Sequence, residues 1–194
     1  MHIDMPQEAH GSMRPIPEGY SLRRAELADI AVFGGIESAA DSRFEGTGLL
    51  DGMDDDDNIP REVFEAAIPA GLVTVLEHET DGVVGYTLCS YRPPDHYLDQ
   101  VAVHPDHGRR GLGRALVEAV ILDAEARRLP AVSLSTFIDV PWNAPFYASI
   151  GFKPVKRSKL TPWMLELERL QAEQMDVSKR CFMRRKVRRA LFRR

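Results

Sequence analysis

Apolar positions along the chain fall into short blocks whose spacing switches between two periods. Over 25–40, Leu27, Ile30, Val32, Phe33 and Ile36 recur at intervals that predict a helix with these side chains inward. Tyr20–Arg24, just before it, reads as a short strand. Pro60–Ile68 reads as a short helix, its proline placed where a first turn tolerates the missing N–H. Three strands are expected next: Leu72–Glu77, Val83–Tyr91 and Tyr97–Val103. Asp81-Gly82 supplies turn chemistry between the first two, and Pro93-Pro94 interrupts the chain before the third.

The second half repeats the alternation. Gly111–Arg128, rich in Ala, Leu, Glu and Arg and stopped by Pro130, predicts the longest helix. Ala131–Phe137 has the continuous apolar character of a buried strand, Pro141–Ile150 that of a short helix, and Phe152–Val155 that of another strand. Thr161–Met175 is expected to be a helix capped by Thr161, with Pro162 at its first position. Cys181–Val187 is the last strand, and the five basic residues between 179 and 186 suit it only to an edge. Strands and helices mixed in this way predict one α/β domain around a mixed sheet of six or seven strands, over 20–187. An arm of Pro, Gly and Met without periodicity (1–19) precedes it, and a basic tail (188–194) follows.

Composition narrows the class. With 194 residues, 44% hydrophobic and 28% charged, the chain matches an ordinary globular protein with one well-filled core. No apolar run approaches the roughly 18 residues of a membrane-spanning helix, and MHIDMPQEAH lacks the basic start and apolar stretch of a secretory leader. Cys89 and Cys181 are too few for a disulfide scaffold and lack metal-ligand spacing, so a reduced, cytoplasmic protein without a metal is expected. The net charge of −4 hides an asymmetry: 179–194 holds nine Lys and Arg and no acid, which leaves −13 on the rest. An acidic body argues against nucleic acid or a membrane surface as partner and favours cationic ligands over anionic ones.

The stretch with chemistry in it is Val101–Leu116, VAVHPDHGRRGLGRAL: a strand, a glycine-containing loop, then a helix. Such a junction aims unpaired backbone N–H groups and the positive end of a helix dipole at one place, which suits phosphate. Gly111 and Gly113 clear side chains from the backbone there, and Arg109, Arg110 and Arg114 add positive charge. Two familiar nucleotide motifs fail. Leu116 occupies the last glycine of a Rossmann fingerprint, and the Gly-Lys-Ser/Thr of a P-loop is absent.

The same stretch resembles the acyl-CoA-binding motif of the GNAT superfamily of N-acetyltransferases, Gln/Arg-x-x-Gly-x-Gly/Ala after a strand ending Val-x-Pro. Downstream, NAPFYASIGF is similar to that family's Tyr-x-x-x-Gly-Phe segment. The resemblance runs over about Tyr20–Val155 and is strongest from Leu98 to Phe152. Two departures stand out. Gly108 occupies the Gln/Arg position, and Val140 stands seven residues before the tyrosine where asparagine is frequent, while Asn143 stands four before it.

The resemblance implies a mixed sheet splayed at the acyl-CoA site, with pantetheine along the backbone of Val101, Ala102 and Val103. The pyrophosphate would lie in the loop Gly108, Arg109, Arg110, Gly111, Leu112, Gly113 and Arg114, with Asn143 also near the cofactor. It implies acetyl-CoA as donor, Tyr147 as general acid to the leaving thiolate, and direct transfer to a primary amine, most simply of a small molecule. Related enzymes carry Glu or His at the position of Asp99, so Asp99 is the candidate base, acting through water. A peptide or protein acceptor, and a non-catalytic acyl-CoA sensor, are the other readings, and homodimers are frequent among similar proteins. Neither cysteine has the surroundings of a nucleophile. The segment Asp41–Pro60, with Phe44, Asp51, Met53 and Asp54–Asp57, is expected to shape the acceptor site, as is Trp142.

Overall fold

In the computed structural model, which describes residues 14–50 and 58–187, the buried stripe of the helix Ile30–Asp41 lies at Ile30, Phe33, Ile36 and Glu37, spaced for one helix face. The described elements are β1 (Tyr20–Arg24), α1 (Ile30–Asp41), α2 (Arg61–Ala67), β2 (Val73–His78), β3 (Gly82–Arg92) and β4 (Asp95–Val103). They continue with α3 (Leu112–Ala126), β5 (Ala131–Phe137), α4 (Ala144–Ser149), β6 (Lys153–Pro154), α5 (Pro162–Gln171) and β7 (Arg180–Lys186). The seven strands are hydrogen-bonded in the order β1-β2-β3-β4-β5-β7-β6, a mixed α/β sheet as expected. The acidic run Asp54–Asp57, with Asp51 and Met53, lies outside the described residues, as does the tail 188–194.

Two units are distinguished within the chain. Of the described residues, the first takes in 14–43, 58–90 and 98–123. In it β1 pairs antiparallel with β2, and β2 with β3, from Tyr20↔His78 to Val73↔Leu88. One core lies under α1 and α2, where Phe33, Phe64 and Tyr86 pack ring against ring beside Val73, Val75 and Ala102. A second gathers Leu76 and Val84 with Leu112 and Leu116 of α3, and Val101 and Val103 pack on it. Arg14–Gly19 is laid against this unit: Ile16 packs on the second core and the Arg14 N–H meets Glu118 Oε2 at 3.2 Å.

Two apolar expectations fail in α1. Leu27 is 54% exposed and Val32 43%. Leu27–Asp29 forms a separate 3-10 turn, closed by reciprocal Glu26 and Asp29 contacts, so the α-helical phase starts only at Ile30. Two positions beyond Ile30, Val32 then lies off the buried stripe.

The second unit takes in 44–50, 91–97 and 124–187. Parallel pairing of β4 with β5 joins His96 to Val132 and Tyr97 to Ser133, and β7 runs antiparallel to β5 from Ala131↔Lys186 to Phe137↔Arg180. β7 is therefore not an edge: it lies between β5 and two-residue β6, which pairs Lys153↔Arg184 and Pro154↔Met183. Its basic residues are accommodated individually. Arg184 makes a bidentate pair with buried Asp95 at 2.6 and 2.7 Å, and the Arg180 guanidinium lies 4.6 Å from the Phe137 ring centre. Between them Phe182 and Met183 are buried. The Thr161 cap on α5 holds as expected, its hydroxyl accepting from the Met164 N–H at 3.4 Å.

Candidate active site

β4 delivers the chain to the loop with strict alternation of roles. Gln100 and Ala102 face the α1 side, where Gln100 Nε2 donates to Glu37 Oε1 at 2.7 Å, while Val101 and Val103 face α3. Asp99 is exposed. The approach of β3 to β4 is close enough to require glycine. A Cβ on Gly85 would lie 2.8 Å from the Ala102 carbonyl oxygen.

After Val103 the His104 N–H donates to the Val84 carbonyl at 2.8 Å, and Pro105–His107 makes one 3-10 turn closed by the Gly108 N–H on the Pro105 carbonyl at 2.8 Å. That closure excludes a side chain at 108, since a Cβ there would lie 2.9 Å from the Pro105 oxygen. The loop then takes left-handed backbone at Arg109 (φ +58°) and Gly111 (φ +81°), where a non-glycine residue is strained. α3 begins immediately, so the N–H groups of its first turn have no intrahelical acceptor and face the loop. Two left-handed residues directly ahead of a helix N-terminus, where unpaired N–H groups gather, suit an anion.

The three loop arginines are used differently. Arg109 is exposed. Arg110 Nη1 donates to the Tyr20 hydroxyl at 3.0 Å, and Arg114 lies 3.5 Å from Glu118 on the next turn of α3. A fourth cation, missed by sequence reasoning, comes from the end of α1: burial and the neighbouring Arg109 charge both lower the Arg43 pKa.

In the second unit the Tyr-x-x-x-Gly-Phe segment has a definite backbone cause. Gly151 (φ +93°) terminates α4, the Phe152 N–H returns to the Tyr147 carbonyl at 3.1 Å, and the Gly151 N–H to Ala148 at 2.9 Å. This is the paired C-terminal closure in which a left-handed glycine satisfies the last carbonyls, and the accompanying apolar contact is Tyr147 against Phe152. Tyr147 is buried, which raises its pKa and keeps the phenol in its proton-donating form, while the Arg180 charge acts in the opposite sense. Asn143 is the N-cap of α4, and its carbonyl accepts the Tyr147 N–H at 3.0 Å. Phe44 and Trp142, both expected near the acceptor, come together with ring centres 5.8 Å apart, and Phe44 also meets Phe137.

Two further features were not legible in the sequence. The first is a carboxylate pair on α1. Buried Glu37 accepts from the Tyr86 hydroxyl at 3.0 Å as well as from Gln100, and Asp41, one turn on, has its pKa pushed up to about 6 by burial and by the Glu37 charge. The second is His78, Asp81 and His107, which converge although no cluster of ligands is evident along the chain.

Over residues 69–154 the chain matches the family model described as an acetyltransferase (GNAT) domain. It is thereby an acyltransferase of the acyl-CoA-dependent kind. Solved structures with the same fold include the ribosomal-protein-S18-alanine N-acetyltransferase from Escherichia coli, at 18% identity and TM-score 0.62, covering 90% of this chain and 98% of that one. The PaiA N-acetyltransferase from Thermoplasma acidophilum, in complex with coenzyme A, matches at 11% identity and TM-score 0.64, over 86% and 98%. YncA from Salmonella typhimurium, solved with its cofactor acetyl-CoA, matches at 20% identity and TM-score 0.59, over 89% and 96%. Among the described residues, no helix is long and apolar enough to cross a membrane.

Proposed function

We propose that the chain transfers an acetyl group from acetyl-CoA to a primary amine of a small molecule, directly and in a ternary complex. The observation that supports this most is the junction after β4. Left-handed Arg109 and Gly111, the first-turn N–H groups of α3 and the cations Arg109 and Arg43 make a seat for the pyrophosphate of the donor. The backbone of Val101, Ala102 and Val103 would pair with pantetheine as an added strand does, and the Val101 N–H would meet the thioester oxygen as it gains charge. The amine attacks the thioester carbon, the carbon–sulfur bond breaks, and Tyr147 gives its proton to the departing thiolate.

The base on this reading is a carboxylate, and α1 has the better one. Asp41 titrates near pH 6, close to where a base at neutral pH is effective, whereas Asp99 is exposed to solvent. Glu37 beside it adds negative charge that favours a cationic amine. The rings of Phe44 and Trp142 would hold the amine's apolar part or its charge. Direct transfer is preferred to an acetyl-cysteine route because Cys89 is buried and burial raises the Cys181 thiol above its ordinary value.

The test is incubation with acetyl-CoA and a panel of polyamines, arylalkylamines, aminoglycosides, amino acids and short peptides, following thiol release and product mass. Turnover confined to small cationic amines supports the proposal. Turnover confined to peptides moves the acceptor to protein. Tight acetyl-CoA binding with no turnover on any class favours the sensor reading.

A further inference from the structure

The hairpin between β2 and β3 brings its turn against the base of the phosphate loop, and three side chains meet there. His78 ends β2, Asp81 lies in the turn, and His107 closes the 3-10 turn before Gly108. Asp81 Oδ2 lies 2.8 Å from His78 Nδ1 and 3.5 Å from His107 Nε2, and the three donor atoms all fall within 4.8 Å of one another. We propose that His78, Asp81 and His107 bind a divalent transition-metal ion of the zinc type.

The donor set carries the assignment first. Two imidazole nitrogens and one carboxylate oxygen suit borderline cations such as Zn²⁺, whereas Mg²⁺ and Ca²⁺ take oxygen alone. Tetrahedral bonds of about 2.0–2.1 Å set neighbouring ligand atoms about 3.3 Å apart. The two separations that involve Asp81 bracket that value, and the two imidazole nitrogens lie within 4.8 Å of each other.

The surrounding groups are arranged as such a site needs. The Tyr20 hydroxyl takes His107 Nδ1 at 2.8 Å, which fixes the ring and leaves Nε2 directed at Asp81. Thr80 Oγ1 donates to Asp81 Oδ1 at 3.0 Å, which leaves Oδ2 as the oxygen facing both rings. An open cavity of about 520 Å³, lined by Tyr20, Thr80 and Gly82 among others, opens on the His78 side of the cluster. A cation shared by two donors of one hairpin, His78 and Asp81, and by His107 of the loop after β4 accounts for the convergence.

Placement gives the site a consequence. His107 immediately precedes Gly108, and the Tyr20 hydroxyl that holds its ring also accepts from Arg110. An ion there would pin the turn from which the phosphate loop springs.

The full chain, without an affinity tag and freed of metal with a chelator, is titrated with Co²⁺ alone. One equivalent giving the intense visible absorption of four-coordinate Co²⁺, bleached by Zn²⁺, supports the site. The Asp81→Asn variant should bind at least tenfold more weakly, and Tyr20→Phe, which removes only the outer hydrogen bond, about tenfold more weakly. The double variant His78→Ala/His107→Ala should abolish the band. A band that survives that double variant places the ion on other residues and overturns the proposal, as does the absence of any saturable band in the native chain. If the double variant does not fold, by circular dichroism, Asp81→Asn in its exposed turn decides alone, and unchanged affinity there is equally fatal. None of these readouts depends on acetyl transfer, so the metal site and the proposed activity succeed or fail separately.

Discussion

The two halves of β4 are built differently. Asp95, His96, Tyr97 and Leu98 are four consecutive buried residues, which alternation alone would not produce. In the second unit Tyr97 packs with Trp163, Met164 and Phe182, and Asp95 is neutralised by Arg184. From Asp99 the strand changes character: Asp99 is exposed, Gln100, Val101 and Val103 are half-buried, and only Ala102 is buried. Continuous burial is the mark of a strand covered on both faces, and half-burial that of one whose surroundings leave backbone within reach of a ligand. One strand is thus core at its start and half-open at its end. What separates these roles is the neighbours, not the composition.

The comparison can be broken most severely at Asp95. Arg184→Ala leaves a buried carboxylate without its partner, and chemical denaturation should register a loss of about 3 kcal/mol or more. A loss below about 1 kcal/mol would mean that water reaches Asp95 and that the first half of β4 is no more core than the second.

Next in size is Tyr147→Phe, which keeps the ring contacts with Phe146 and Phe152 and removes only the proton. Turnover should fall about 10²- to 10³-fold with acetyl-CoA affinity unchanged within about twofold. Equal losses in both would make the tyrosine a packing element.

Asp41→Asn sharpens the α1 side. The Asp41 pKa of about 6 exceeds its ordinary value of 3.8, so between those pH values the folded chain holds a proton that the unfolded chain has released. Stability contributed by Asp41 is therefore present below about pH 4 and lost as pH rises through about 6. The Asn variant should match the parent at low pH and exceed it by about 1–2 kcal/mol above pH 7, discounting for partial exposure. Its turnover should lose the pH dependence centred near 6. A parent and variant that unfold in parallel from pH 4 to 8 would show that Asp41 is solvated.

Smallest is Gly108→Gln, which installs the residue usual in the family. Here its Cβ would press on the Pro105 oxygen at 2.9 Å, so acyl-CoA affinity should drop roughly tenfold, about 1.4 kcal/mol, by calorimetry. Tighter binding would show that the turn yields and that the side chain is a gain.

Much of this was written in the chain. The order of strands and helices, the Thr161 cap and the strand–loop–helix junction all follow from local signals: periodicity, Pro and Gly placement, and a capping hydroxyl. The motif around Tyr147 was legible for a related reason, since Gly151 and Phe152 close α4 within six residues. Errors fell where a residue's fate depends on distant partners. Basic β7 resembled an edge because nothing nearby in sequence offers Arg184 its carboxylate, 89 residues away. Glu37 could have been noticed, because it continues the Ile30, Phe33, Ile36 stripe. Its pairing with Tyr86 and Gln100 could not.

The sequence by itself determined which segments are helix or strand, because those choices are decided by φ, ψ and side-chain spacing within a few residues. Only the tertiary structure decided which charges meet. It brought Arg43 to Arg109, Asp95 to Arg184, and His78 and Asp81 to His107. Electrostatic and coordination chemistry acts over a few ångströms, and chain separation says almost nothing about that distance until the sheet has been assembled.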